Sequence, residues 1–136
     1  MNIEETLEFK YRVQRKDLAK ELAIDEQDDF PEVLATARMV ALMELAAARL
    51  MKPLLNEGAS FSVGVNVAVN HLAATPNGEE VIARATYKGL EGKLFKFHVE
   101  LQDGGGIAGS GTHTRAIVKA ERLLQGAEKR IKKAEH

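Results

Sequence analysis

From Glu32 to Leu55 the chain reads EVLATARMVALMELAAARLMKPLL, with no glycine and a single proline, Pro53, near its end. Ala, Leu and Met are strong helix formers, and the run is apolar around most of its circumference. The sequence therefore predicts a helix enclosed by the rest of the fold rather than laid on its surface. Pro31 is placed to open this helix, and Pro53 followed by Asn56-Glu57-Gly58 to stop it. After Gly58 the apolar pattern changes to period two and stays there for about sixty residues. Turn signals at Thr75-Pro76-Asn77-Gly78, Glu91-Gly92 and Asp103-Gly104-Gly105-Gly106 cut that stretch into four strands. Phe61, Val63, Val65, Val67 and Val69 share one face of the first. Val81, Ala83, Ala85 and Tyr87 share a face of the second, and Phe95, Phe97, Val99 and Leu101 of the third, while the fourth runs from about Ile107 to Val118.

Two flanking segments complete the reading. Residues 3–13 alternate, with Leu7, Phe9, Tyr11 and Val13 opposite Glu8, Lys10 and Arg12, as a half-buried strand does; residues 14–31 form a polar, acidic loop with a helical turn around Leu18 to Leu22. At the other end Ala120, Leu123, Leu124, Ala127 and Ile131 follow helical spacing, giving an amphipathic C-terminal helix. Short turns force antiparallel neighbours, and an apolar helix needs a sheet to wrap it. The arrangement that meets both demands is an α+β hotdog fold: a five-stranded antiparallel sheet curled around a long central helix, one domain over residues 1–136. The open strand edge of such a sheet calls for a two-fold partner, so a homodimer is expected.

Composition narrows the function. The N-terminus lacks the basic start and apolar stretch of a signal peptide, no apolar run is long enough to span a bilayer, and there is no cysteine, so a cytoplasmic protein without membrane contact is expected. The net charge is −1, but residues 1–31 carry 5 basic and 9 acidic residues and residues 119–136 carry 6 and 3. The basic end, Lys129-Arg130-Ile131-Lys132-Lys133, lies on a helical pattern without interleaved aromatics, which fits a solvated face and not a nucleic-acid site. Asp25, Asp28 and Asp29 lack calcium-loop spacing, four scattered His residues make no zinc pattern, and Gly104-Gly105-Gly106 is explained by a hairpin turn, so no metal is expected.

Glu44 is the strongest anomaly, because its helical neighbours Val40, Ala41, Ala47 and Ala48 are all apolar. A carboxylate there is either paired in the interior, with Arg49, Arg38 or a neighbouring subunit, or functional. Thr36 lies eight residues earlier, roughly 80° away around the helix, and could border the same pocket. His71 ends the Val69-Asn70-His71-Leu72-Ala73 segment and would become a base with an orienting carboxylate if it met Glu44. His113 and Arg115 share a face of the last strand beside Gly109 and Gly111, and the Arg115 fork suits phosphate, carboxylate or a structural ion pair.

Four segments together resemble the fluoroacetyl-CoA thioesterase family of hotdog proteins: Phe30-Pro31-Glu32-Val33; Ala35-Thr36 to Met43-Glu44; His71-Leu72-Ala73-Ala74-Thr75-Pro76-Asn77-Gly78; and Gly109-Ser110-Gly111-Thr112-His113. Their joint order and spacing carry the resemblance, which thins at the first strand and the C-terminal helix. It implies a catalytic set of Thr36, Glu44 and His71, a Gly64 backbone N–H facing the thioester oxygen, and Arg115 in coenzyme A binding. The implied reaction is hydrolysis of a short acyl-CoA, with Glu44 as nucleophile or general base, Thr36 positioning it and His71 moving protons; coenzyme A enters as part of the substrate, and no cofactor is expected. The family's specialised fluoroacetyl enzyme carries two lid phenylalanines, of which only Phe30 is matched here; the other position reads Gln27, which argues against strong fluoroacetyl selectivity. A hotdog dehydratase or hydratase acting on acyl thioesters and a non-catalytic acyl-CoA binding protein are the alternatives.

Overall fold

The computed structural model describes residues 1–135. Its elements run β1 (Thr6–Arg12), α1 (Thr36–Met51), β2 (Ser60–His71), β3 (Glu80–Glu91), β4 (Leu94–Asp103), β5 (Gly106–Lys119) and α2 (Ala120–Ala134), with 3-10 turns at Arg15–Asp17, Ala19–Leu22 and Lys52–Leu54. All strand pairs are antiparallel, and the sheet order is β1-β3-β4-β5-β2. Hairpins join β3 to β4 at Gly92 (φ 63°) and β4 to β5 at Gly104–Gly106, where the sequence places them, but the turn at Gly78 (φ 86°) carries the chain from β2 at one edge of the sheet to β3 beside β1, so β2 and β3 are not the antiparallel neighbours that the short turn suggested.

The sheet curls around α1. Met39, Leu42, Met43, Ala46, Ala47, Leu50 and Met51 are buried against Val81, Ala83, Ala85 and Tyr87 of β3 and Phe97, Val99 and Leu101 of β4. Alanines at the centre of both surfaces let helix and sheet approach closely. The remaining face of α1 is not enclosed: Leu45 is 44% exposed, and Glu44 sits beside it.

Two further expectations are corrected. The helix begins at Thr36 and not near Glu32, because residues 33–35 are already bound in extended backbone: the Leu34 N–H donates to the Thr75 carbonyl (2.8 Å) and the Ala35 N–H to the Asp17 carbonyl (2.9 Å). Pro31 thus lies in a strap, residues 18–35, closed by bridges Leu18 to Leu34 and Val33 to Pro76 and by a Lys20 N–H bond to the Pro31 carbonyl (3.1 Å). At the far end Pro53 ends the helix as expected, in a 3-10 turn.

The single apolar face drawn for β2 is the second correction. A bulge between Gly64 and Asn66 shifts its register against β5. Before it, Ser62 and Gly64 face α1, and Phe61 and Val65 are 50% and 53% exposed; after it, Val69 packs on the core and His71 reaches Thr36. A one-residue bulge inverts the alternation, which a period-two reading cannot see.

Candidate active site

Two clusters form along α1. At its first residue the Thr36 hydroxyl and His71 Nδ1 are 2.8 Å apart. His71 Nε2 is buried and has no hydrogen-bond partner among the described residues. A hollow of about 430 Å³ opens over this pair, lined by Pro31, Val33, Leu34, Leu72 and Ala73.

Two turns further along, the Glu44 carboxylate accepts a hydrogen bond from Arg115 Nη1 (3.1 Å) and lies 3.9 Å from His113 Nε2. Arg115 is 6% exposed; its Nε donates to the Ser62 hydroxyl (3.0 Å), its Nη2 to the Ser62 carbonyl (2.9 Å), and Nη1 also to His113 Nε2 (3.1 Å). Burial pulls its guanidinium below the ordinary arginine value, and Glu44 pulls it back. His113 is 1% exposed, and its pKa is lowered chiefly by burial, with the Arg115 charge adding; the Asn66 carbonyl and Glu44 act the other way. Gly64 closes the cluster: a side chain at this position would run into the Glu44 carboxylate where it now lies, so glycine is what lets the carboxylate rest against β2 backbone.

The structure therefore joins Thr36 to His71, and Glu44 to Gly64 and Arg115, but gives Glu44 and His71 no contact within one chain. Phe30 is 45% exposed and Gln27 exposed; neither lines the hollow over Thr36. Sequence reasoning missed Ser62, whose hydroxyl and carbonyl both serve Arg115, and the role of Asp17. Asp17 is 1% exposed and accepts from the Tyr11 hydroxyl (2.7 Å), the Gln14 N–H (2.8 Å) and Arg38 Nε (2.9 Å), tying β1 and the turn after it to α1. Nothing marked it among its acidic neighbours, although Tyr11, on the inner face of β1, was the side chain able to reach it.

With this geometry in place, comparison with known proteins is informative. The fluoroacetyl-CoA-specific thioesterase family matches residues 13–121. A fluoroacetyl-CoA thioesterase of Streptantibioticus cattleyicolor is 44% identical over 95 residues, 70% of this chain and 68% of the relative. The solved structure of the fluoroacetyl-CoA thioesterase FlK superposes with a TM-score of 0.88 at 34% identity, covering 95% of this chain and 96% of that one. A Thermus thermophilus protein described as a thioesterase superfamily member gives 0.82 at 25% identity, over 98% of this chain and 94% of its own.

Proposed function

Because this chain belongs to the fluoroacetyl-CoA-specific thioesterase family, we propose that it hydrolyses short-chain acyl-CoA esters to free acid and CoA, with Thr36, Glu44 and His71 as catalytic residues and without strong fluoroacetyl selectivity. The observation that carries this reading is a carboxylate held by a buried arginine against a side-chain-free stretch of backbone, Glu44 against Gly64. Glu44 acts as nucleophile or as general base to water at the thioester carbonyl, and the Gly64 N–H stabilises the oxygen as it gains charge. His71, oriented by Thr36, moves the proton to the departing thiolate.

The working unit is a homodimer joined at β2. The outer edge of β1 alternates charges at Glu8, Lys10 and Arg12, whereas the β2 edge shows Phe61, Val65 and Val67 at 50%, 53% and 38% exposure, with Leu45 of α1 nearby. Thr36 and Glu44 are eight residues apart on α1, a rise of about 12 Å, too far for one thioester to touch both in a single chain. Antiparallel pairing of two β2 strands sets the His71 end of each beside the Gly64 half of the other, so each thioester is held between half-sites of the two copies. A cytoplasmic location goes with this reading, and coenzyme A is present only as part of the substrate.

The test is thiol release over a panel of acetyl-, fluoroacetyl-, branched and aromatic acyl-CoAs. Release of CoA with a fluoroacetyl-to-acetyl kcat/KM ratio below about a thousandfold, roughly 4 kcal/mol, is expected. A larger ratio removes the argument from Gln27. Conversion without thiol release would mark a hydratase, and binding without turnover a carrier.

A further inference from the structure

Gly64 and His71 are seven residues apart on one strand, and in regular β structure an odd separation puts two residues on opposite faces. Yet both meet α1, Gly64 at Glu44 and His71 at Thr36. The bulge between Gly64 and Asn66 alone makes this possible, so whatever holds the bulge holds the site together.

Asn66 supplies the answer. Its carbonyl lies 2.8 Å from His113 Nδ1, and a carbonyl only accepts, so Nδ1 carries the proton. Nε2 of a neutral imidazole is then an acceptor, and it receives Arg115 Nη1 at 3.1 Å, the same nitrogen that donates to Glu44. The ring is buried, with its centroid 6.4 Å from that of Phe97. Of the common side chains only a neutral histidine offers a donor on one edge and an acceptor on the other at this spacing.

We propose that His113 is a positioning residue of the site: with one nitrogen it fixes the bulge that turns Gly64 and His71 to the same face, and with the other it fixes the Arg115 guanidinium that aims the Glu44 carboxylate. Its kinetic consequence rests on the thioesterase reading above; its structural consequence does not.

Two substitutions separate the two bonds. In His113→Asn the amide N–H sits near the Nδ1 position and keeps the Asn66 bond while losing the acceptor for Arg115. In His113→Gln the amide oxygen reaches the Nε2 position and keeps Arg115 while releasing Asn66. Both are compared with wild type in acetyl-CoA hydrolysis, thermal midpoint and backbone amide spectra. We expect kcat to fall about tenfold or more in both, with KM within about twofold, and the amide signals of Gly64, Val65 and Asn66 to move in His113→Gln but stay near their wild-type positions in His113→Asn. A kcat within twofold of wild type in both variants, or a rise confined to KM, overturns the positioning role even if the thermal midpoint drops. Unmoved Gly64-to-Asn66 signals in His113→Gln overturn the hold on the bulge. If wild type releases no thiol from any ester, the functional reading falls, and the amide signals still decide whether His113 holds the bulge.

Discussion

The two ends of the α1 site are built on opposite principles. At Thr36 a single hydrogen bond orients His71 beneath an open hollow. At Glu44 the carboxylate meets Arg115, His113 and Gly64, and the arginine makes four hydrogen bonds, two of them to Ser62. The difference follows from charge. A guanidinium taken out of water must have its donors met or the fold loses several kcal/mol, and the Thr36 end holds no such group. The Glu44 end is thus densely bonded because it holds a buried guanidinium, and the Thr36 end is held by one bond because it does not.

Substitutions sharpen this contrast. The largest effect is expected from Glu44→Gln, which on the proposed reading removes the nucleophile or general base and in any case leaves Arg115 without its counter-charge: kcat should drop about a hundredfold or more, and the thermal midpoint should fall with it. Adding Arg115→Met should recover midpoint but not turnover, since removing the second charge of the pair leaves none uncompensated. Recovery of turnover would show that Glu44 serves only to neutralise Arg115. Gly64→Ala comes next. Its methyl would occupy the place of the Glu44 carboxylate, which is 39% exposed and can swing outward, so a loss of some tens of fold in kcat with little change in midpoint is expected. Thr36→Val should cost less, about five- to tenfold in kcat, the worth of one hydrogen bond; a loss as large as that of Glu44→Gln would erase the contrast between the two ends.

The smallest effect on turnover is expected at Asp17, which shows up in stability. Burial alone would push its carboxyl up, but the Tyr11 hydroxyl, the Gln14 N–H and the Arg38 guanidinium together hold it below the usual carboxylate range. A group whose folded pKa is depressed contributes stability above its unfolded value, about 3.9, and loses it as pH falls through the folded value. Chemical denaturation across pH 2 to 7 should therefore show wild type weakening below about pH 4, with Asp17→Asn weaker by about 1–3 kcal/mol at pH 7 and flatter in acid, at kcat within about twofold. A parallel pair of curves would remove Asp17 from the account.

Much of this was legible in the sequence for reasons that are local. The glycine-free apolar run and the period-two stretch that follows depend on near neighbours, and they gave the helix, the four strands and the enclosing sheet. Glu44 was visible because its helical neighbours are apolar. The bulge was not, since Val63, Val65 and Val67 keep perfect alternation through it, and it shows only in the register against β5 and in the bond from the His113 side chain to the Asn66 carbonyl. The helix start was misplaced for a similar reason: residues 33–35 have good helical composition, but bonds to Thr75 and Asp17, distant in sequence, claim their backbone first. Ser62 and Asp17 gave no signal at all, because their importance lies in which donors the fold brings to them.

The strap over the Thr36 hollow has an evolutionary consequence. Its base is fastened by backbone bonds, Ala19 N–H to the Val33 carbonyl (2.8 Å) and Lys20 N–H to the Pro31 carbonyl (3.1 Å). Its tip closes on itself, with the Ile24 and Asp25 N–H groups both donating to the Asp28 carboxylate (2.9 and 3.2 Å). Within that tip the Glu26 and Gln27 side chains are exposed and make no hydrogen bond to the rest of the chain among the described residues. Such a segment behaves as an interchangeable cassette: its side chains can be rewritten, lengthened or made aromatic without disturbing the fastening beneath. Lineages carrying this scaffold can therefore vary a few tip residues while the Glu44 network stays untouched.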